Sequence, residues 1–182
     1  DENHLTDLIN SIEELFSTTT KDLMNMQIGL IGELLTLIHL FNNGFPEIFD
    51  RYHKNSYSKH DIELSKKCKI EVKTTVNERR IHRFSHNQIF NSEYNLFVSS
   101  VILTTVENGT SLFQLIEILL EITKDNFEFG FLMYKLMNLC QIDSINQGII
   151  FSYETSLNSV KLMSANEIPH INFHIPEGVT NV

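Results

Sequence analysis

The chain is predicted to fold as one α/β domain in which a central sheet is flanked by helices. Three observations predict this class: helical periodicity opens the sequence, a cluster of strand-like segments follows, and helices and strands are mixed in the remainder. The composition agrees, since 182 residues with 42% hydrophobic and 20% charged side chains are typical of a domain with a buried core.

Two helices are expected at the start of the chain. Apolar residues recur at helical spacing over residues 5–16, and the threonines at 18–20 interrupt this pattern. A longer helix is expected over residues 22–41, because this apolar segment ends before the stop signal Asn42-Asn43-Gly44.

Strand-like segments follow the second helix. Residues 48–52 are expected to form a short strand, and residues 61–64 and 69–76 a hairpin around a lysine-rich turn. Residues 80–84 are expected to form another short strand. The strongest strand pattern covers residues 94–106, which are rich in Val, Leu, Ile, Phe and Thr.

The remaining segments combine helices and strands. Ser85 is expected to cap a short helix over residues 86–90, and Ser111 to cap a helix that runs to about residue 123. A further helix is expected over residues 127–139, and residues 149–163 have a strand-like composition.

The charge distribution points to one anionic partner at one place. The net charge of −9 argues against a general nucleic-acid binder. Residues 51–83, however, hold ten basic and four acidic side chains, a net of +6, whereas the rest of the chain holds four basic and nineteen acidic ones, a net of −15. A solvated, lysine-rich hairpin would give the same charges without any partner.

The cysteine count and the apolar runs limit the cellular setting. Cys68 and Cys140 form neither a disulfide framework nor a zinc-type pair, so a reducing, cytoplasmic location is expected. The longest apolar run, residues 28–41, is judged too short and too polar to span a membrane. Because the chain begins at Asp1 rather than at methionine, we expect it to be a fragment of a longer protein.

The chemistry concentrates in residues 59–73, which read KHDIELSKKCKIEVK. Side chains alternate along a strand, so Glu71 and Lys73 share one face, and the isoleucine and valine beside them indicate a buried strand. A hairpin can bring Asp61 beside Glu71, and a hard cation such as Mg²⁺ relieves the repulsion between two carboxylates. Lys73 could then hold the attacking water and offset charge in the transition state. The alternative is an exposed cross-strand salt bridge between Glu71 and Lys73, which stabilises little.

The pattern Asp61…Glu71-Val72-Lys73 resembles the PD-(D/E)XK superfamily of restriction-endonuclease-like nucleases, with His60 in place of the usual proline. The segment at 29–35 resembles the first core helix of these proteins, where many members carry a glutamate that faces the site. The segment at 83–88 resembles the entry to their next helix, where members often carry a glutamine. The similarity covers residues 27–161 and extends to an uncharacterised bacterial branch encoded among phage-defence or restriction genes.

This resemblance implies a three-layer α/β/α core with a central mixed sheet, spanning about residues 22–163 of a single domain over residues 1–182. It implies an endonuclease that uses Mg²⁺, with Mn²⁺ able to substitute, and that hydrolyses DNA in restriction, phage defence or repair. The residues implied to act in catalysis are Glu33, Asp61, Glu71, Lys73 and Gln88. The metal ligands implied are Asp61, Glu71, the Val72 carbonyl and Glu33.

Several basic and polar residues near the site are candidate phosphate contacts. They are Lys54, Lys59, Arg80, Arg83, Ser85 and His86. The alternative for the lysines is that they are only solvated, as surface lysines usually are. Glu33 could likewise be a solvent-facing helix residue. Glu63 could compete with Asp61 as a metal ligand. His60 and His82 could contact phosphate or have no role, and no histidine is expected to bind the metal.

Two other functions remain open at the level of sequence. The chain could be a catalytically silent nuclease-fold module for DNA binding or complex assembly, whose acidic body and apolar late helices contact a protein partner in a defence complex. It could also act on RNA, since the fold does not fix the substrate. A homodimer is compatible with cleavage, because cutting both strands often requires two sites.

Overall fold

The computed structural model describes the backbone of residues 2–53, 60–84 and 93–168, and the side chains of these residues from 20 onward. Helix α1 spans Glu2–Asn42 without interruption, so the break predicted at residues 18–20 is wrong. Threonine lowers helix propensity only modestly, and residues 18–20 include neither glycine nor proline. The predicted stop is confirmed, since Gly44 adopts a φ of 92° just beyond the helix.

A four-stranded mixed sheet forms the centre of the fold. Its strands β1 (Ile62–Ser65), β2 (Cys68–Thr75), β3 (Asn95–Ile102) and β6 (Lys161–Ser164) lie in the order β1-β2-β3-β6. Strands β2 and β3 are parallel, whereas β1–β2 and β3–β6 are antiparallel. The predicted hairpin is therefore confirmed as β1 and β2.

A second, two-stranded sheet pairs β4 (Thr105–Ser111) with β5 (Ile150–Phe151). The long strand predicted over residues 94–106 is therefore wrong in extent, because β3 ends at Ile102 and the chain leaves the central sheet to pair elsewhere. Residues 80–84, predicted as a strand, belong to neither sheet. The helix predicted over residues 86–90 lies outside the described residues.

Helices flank the central sheet, which confirms the predicted fold class. The two predicted late helices are α2 (Leu112–Ile122) and α3 (Phe127–Leu139), and Ser111 caps α2 in a reciprocal capping box with Gln114. A short helix, α4 (Tyr153–Asn158), interrupts the strand-like segment predicted over residues 149–163.

Further 3₁₀ turns flank the core, at Pro46–Arg51 and Ala165–Glu167. The first replaces the strand predicted at residues 48–52, because Pro46 sits in its first turn with φ already suited to a helix.

Helix α1 packs directly on the central sheet. A Cβ atom added to Gly32 would lie 1.8 Å from Oγ1 of Thr74 on β2, so only glycine allows the observed spacing. Leu34 and Leu35 are fully buried in the core, and Thr36 forms a buried hydroxyl–hydroxyl hydrogen bond of 2.8 Å with Ser99 on β3. This packing places Glu33, the residue after Gly32, at the sheet.

The segment Thr20–Asn42 is long and apolar enough, by length and composition alone, to cross a membrane. The expectation that this run is too short is therefore not met, because the helix begins well before residue 28. Half of the segment is buried inside the fold, where it forms the core against the sheet, and a core helix accounts for its apolar composition.

Candidate active site

Three segments of the fold bring two carboxylates and one imidazole together. Glu33 lies on α1, His53 follows the first 3₁₀ turn, and Asp61 immediately precedes β1. One ligand atom of each lies within 4.8 Å of the others. We call these three residues the acid–imidazole cluster.

The Glu33 carboxylate is held by two neighbours. The buried Tyr52 hydroxyl donates a hydrogen bond of 2.5 Å to Oε2 of Glu33, and Nε2 of His53 lies 3.3 Å from the same oxygen. The hydrogen bond to Glu33 raises the pKa of His53, although burial opposes this effect. Burial, and next the charge of Glu33, raise the pKa of Tyr52 well above its ordinary value, so its hydroxyl remains a donor.

Asp61 is the most strongly perturbed carboxyl of the cluster. Its Oδ2 accepts a 2.7 Å hydrogen bond from the backbone N–H of Val72 on β2. Burial, and next the negative charge of Glu33, raise the pKa of Asp61 to about 7, with a smaller contribution from Glu71. Contact between the Val72 carbonyl and a metal stays a prediction.

Glu71 and Lys73 lie on one face of β2, as the alternation of strand side chains predicts. Nζ of Lys73 is 2.9 Å from Oε1 of Glu71, and Nδ1 of His60 is 3.1 Å from the other oxygen. Only 4% of Glu71 is exposed, so the alternative of an exposed cross-strand pair does not describe this arrangement. Burial would raise the pKa of Glu71, but the hydrogen bonds from His60 and Lys73 outweigh it and hold that pKa below its ordinary value.

Tyr94 extends this arrangement behind the strand. Its hydroxyl lies 2.7 Å from Nε2 of the buried His60, so a chain of hydrogen bonds runs from Tyr94 through His60 to Glu71. His60 and Tyr94 therefore help to hold the orientation of Glu71, whose other carboxylate oxygen contacts Lys73, a side chain that is 23% exposed.

The predicted phosphate contact Arg80 is engaged within the fold. Its Nη1 donates to the carbonyl and hydroxyl oxygens of Ser100 at 2.6 and 2.9 Å, and its Nη2 donates to the Ser159 carbonyl. Nε2 of His82 lies 2.6 Å from the same Ser100 hydroxyl, and burial, together with the charges of Arg80 and Lys73, lowers the pKa of His82. Contact of Arg80 with DNA stays a prediction, and it would compete with these bonds.

Of the other predicted nucleic-acid contacts, one lies in the part of the chain that the structure describes. Arg83 is exposed. The remaining predicted site residues, Gln88, Lys54, Lys59, Ser85 and His86, lie outside the described residues. Glu63, the alternative ligand to Asp61, instead binds Lys69 through a 2.9 Å ion pair.

Sequence reasoning missed Tyr52, His53 and Tyr94. The expectation that no histidine would join the carboxylates considered only spacing along the chain, whereas the fold brings His53 to Glu33 and Asp61. The available signal was the pair Tyr52-His53 near the start of the basic segment.

The acid–imidazole cluster fits a divalent cation. Two carboxylates and one imidazole are a common set of metal ligands. Burial first, and the neighbouring charge of Glu33 next, raise the pKa of Asp61, and a cation held between the two carboxylates would offset their repulsion. Glu33 would be oriented for such a cation by Tyr52, and Asp61 by Val72.

The fold is a mixed sheet flanked by helices, and acidic side chains and a lysine gather where α1 meets β2. This arrangement fits a restriction-endonuclease-like α/β core. The family model described as "Putative PD-(D/E)XK family member, (DUF4420)" matches residues 3–182, and the chain belongs to this family. The resemblance drawn from Asp61, Glu71 and Lys73 is thereby confirmed at the level of the family. No curated protein and no solved structure matches the chain.

Proposed function

We propose that this protein is a divalent-metal-dependent endonuclease that hydrolyses phosphodiester bonds in DNA, working with Mg²⁺ and accepting Mn²⁺. The observation that carries the proposal is the contact on β2 between buried Glu71 and partly exposed Lys73, next to the acid–imidazole cluster. Membership of a PD-(D/E)XK family supports a nuclease-type hydrolase. We further propose a cytoplasmic role in restriction, phage defence or DNA repair.

We assign two tasks to the residues of the site: some hold the cation, and Lys73 acts on the phosphate or the attacking water. Glu33 and Asp61 would hold the cation, and Glu71 would complete the carboxylate ligands if its side chain turns away from Lys73. A bound cation would polarise a phosphate oxygen and make a bound water more acidic.

Lys73 performs the second task. Its amine is held 2.9 Å from Glu71 yet remains partly exposed, so it can donate a hydrogen bond to the attacking water or to a phosphate oxygen. Its positive charge would offset the negative charge that grows on the phosphate during the reaction. His60 and Tyr94 keep Glu71, and through it Lys73, in place.

The charge distribution supports DNA as the substrate. The site residues other than Glu33 and Tyr94 lie inside the segment of net charge +6, and Lys66, Lys67 and Arg83 of this segment are exposed. Contacts with phosphates dominate the affinity of nucleic-acid binding, so a local basic segment can bind DNA even though the whole chain is acidic. A homodimer would supply the two sites needed to cut both strands.

The test is cleavage of supercoiled plasmid DNA in the presence of Mg²⁺ or Mn²⁺. Lys73→Ala should lower the cleavage rate by about a hundredfold or more, since it removes a group that acts on the reacting phosphate. Lys124→Ala, which changes an exposed lysine just after α2, is the matched control and should cleave like the wild type. Thermal unfolding and DNA-binding anisotropy of each variant separate loss of chemistry from loss of folding or binding. Equal cleavage by wild type and Lys73→Ala, with DNA binding intact, would refute the proposal.

A second function, that of a catalytically silent assembly module, is favoured by the exposed aromatic residues of α3. Phe127, Phe131 and Tyr134 recur at helical spacing, and 86% of Phe127 is exposed. Both carboxylate oxygens of Glu71 also have protein partners. A calorimetric titration in which neither Mg²⁺ nor Mn²⁺ binds would favour this function over catalysis.

A further inference from the structure

His53 has a backbone conformation that non-glycine residues seldom adopt. Its φ is 43°, in the left-handed region, and two backbone contacts hold it there. Tyr52 forms a β-bridge with Ile62, and the His53 N–H donates a 3.1 Å hydrogen bond to the Asp61 carbonyl. Such conformations persist where the surrounding structure imposes them, and they are concentrated at functional sites.

This conformation directs the imidazole toward the two carboxylates. Nε2 of His53 lies 3.3 Å from Glu33, and the side chains of His53 and Glu33 are 36% and 20% exposed, so an ion can reach them from solution. Glu71, by contrast, has its two oxygens on Lys73 and His60. Among the residues that the structure describes, the closest set of ligand atoms is therefore two oxygens and one nitrogen.

A nitrogen ligand changes which cation the site prefers. Mg²⁺ favours oxygen ligands in a near-ideal octahedron and gives up water reluctantly. Imidazole binds first-row transition metals better than Mg²⁺, whereas carboxylates suit Mg²⁺ and Mn²⁺ alike. In a site of two carboxylates and one imidazole, all three ligands therefore suit Mn²⁺, whereas only the two carboxylates suit Mg²⁺ well.

We infer that His53 is a metal ligand and that it makes Mn²⁺ the more tightly bound cofactor of this site. The inference rests on the proposed function, since it names the metal of the same nuclease centre. It assigns a role to His53 that depends on its nitrogen atom, and not only on its contact with Glu33.

The structure indicates which variants test this role without disturbing the backbone. Asparagine and aspartate tolerate a positive φ better than other residues, so His53→Asn and His53→Asp suit the conformation at this position. His53→Asn removes the imidazole, and His53→Asp replaces it with an oxygen ligand. His39→Asn, on α1 but outside the cluster, is the control for loss of a histidine.

The experiment combines calorimetric titration of the full chain with Mn²⁺ and Mg²⁺ and pulsed electron paramagnetic resonance of the Mn²⁺-loaded protein. Wild type and His39→Asn should bind Mn²⁺ at least about tenfold more tightly than Mg²⁺ and should show ¹⁴N coupling from a coordinated imidazole. His53→Asn should lose that coupling and bind Mn²⁺ about tenfold or more weakly. His53→Asp should bind both ions, with a smaller difference between them.

Different results would overturn different claims. If Mn²⁺ and Mg²⁺ bind the wild type equally well, the preference for Mn²⁺ is refuted. If the ¹⁴N coupling persists in His53→Asn and His53→Asp, His53 is not the ligand. In either case the inference fails and the proposed nuclease function stands. If neither ion binds the wild type, the proposed function fails together with the inference. Thermal unfolding of each variant shows that a change in binding comes from the ligand and not from misfolding.

Discussion

Replacing Asp61 with asparagine should stabilise the metal-free protein while removing its response to metal. The pKa of Asp61 is raised from its ordinary value of 3.8 to about 7, by burial first and by the charge of Glu33 next. A carboxyl whose pKa is higher in the folded state favours folding while it is protonated. That stability is fully present below about pH 4 and is lost as the pH rises to about 7.

The size of the effect follows from the shift in pKa. A change of roughly three pKa units, at about 1.4 kcal/mol each, gives an upper bound of about 4 kcal/mol lost above pH 7. Asparagine cannot ionise, and its side-chain oxygen can still accept the hydrogen bond from Val72. Asp61→Asn should therefore match the wild type near pH 4 and exceed its stability at pH 8 by up to about 4 kcal/mol.

Urea unfolding in the presence of a chelator, at pH 4 and pH 8, measures this difference. Asp143→Asn is the control, because hydrogen bonds from the backbone N–H groups of Asn146 and Ile145 lower the pKa of this exposed carboxyl. Its replacement should bring no gain as the pH rises. A gain for Asp61→Asn that is independent of pH, or lower stability than the wild type at pH 8, would show that the electrostatic reasoning is wrong. Added Mg²⁺ or Mn²⁺ should raise the melting temperature of the wild type but not of Asp61→Asn.

Two matched pairs of substitutions test the packing and the basic segment. Gly32→Ala should destabilise the protein by about 1–3 kcal/mol in urea unfolding, because its Cβ would overlap Thr74. Gly29→Ala should instead stabilise α1 by up to about 1 kcal/mol, because the added Cβ meets no packing neighbour within 4 Å in the described part of the chain, and a similar loss for both would contradict the packing argument. Arg80→Ala should lower stability by about 2 kcal/mol through loss of its internal hydrogen bonds. Arg83→Ala should weaken DNA binding in an anisotropy assay while stability changes by less than about 0.5 kcal/mol; the opposite ranking of the two arginines would overturn this division of roles.

The parts of the fold that follow from local rules could be predicted from the sequence. Alternation along a strand placed Glu71 and Lys73 on one face, and the apolar sequence around them indicated a buried strand. Ser111 was predicted as a helix cap because a serine before an apolar run can accept an N–H bond in the first turn, and the capping box confirms it.

Other parts depend on contacts between distant segments, which no local pattern records. The strand predicted over residues 94–106 divides because its second part pairs with β5, about forty residues later in the chain. His53 joins the cluster only because a bridge between Tyr52 and Ile62 fixes its backbone. His60 was considered as a substitute for proline and as a possible phosphate contact, whereas its two ring nitrogens link Glu71 to Tyr94.

The close contact between Gly32 and Thr74 has an evolutionary consequence. Each of these residues is the immediate neighbour of a site residue, Glu33 on α1 and Lys73 on β2, so one contact sets the distance between the two halves of the site. Oγ1 of Thr74 is buried and has no hydrogen-bond partner among the residues that the structure describes, so a smaller residue at position 74 loses little. Positions 32 and 74 should therefore covary among homologues, with a side chain appearing at 32 only where the residue at 74 has become smaller.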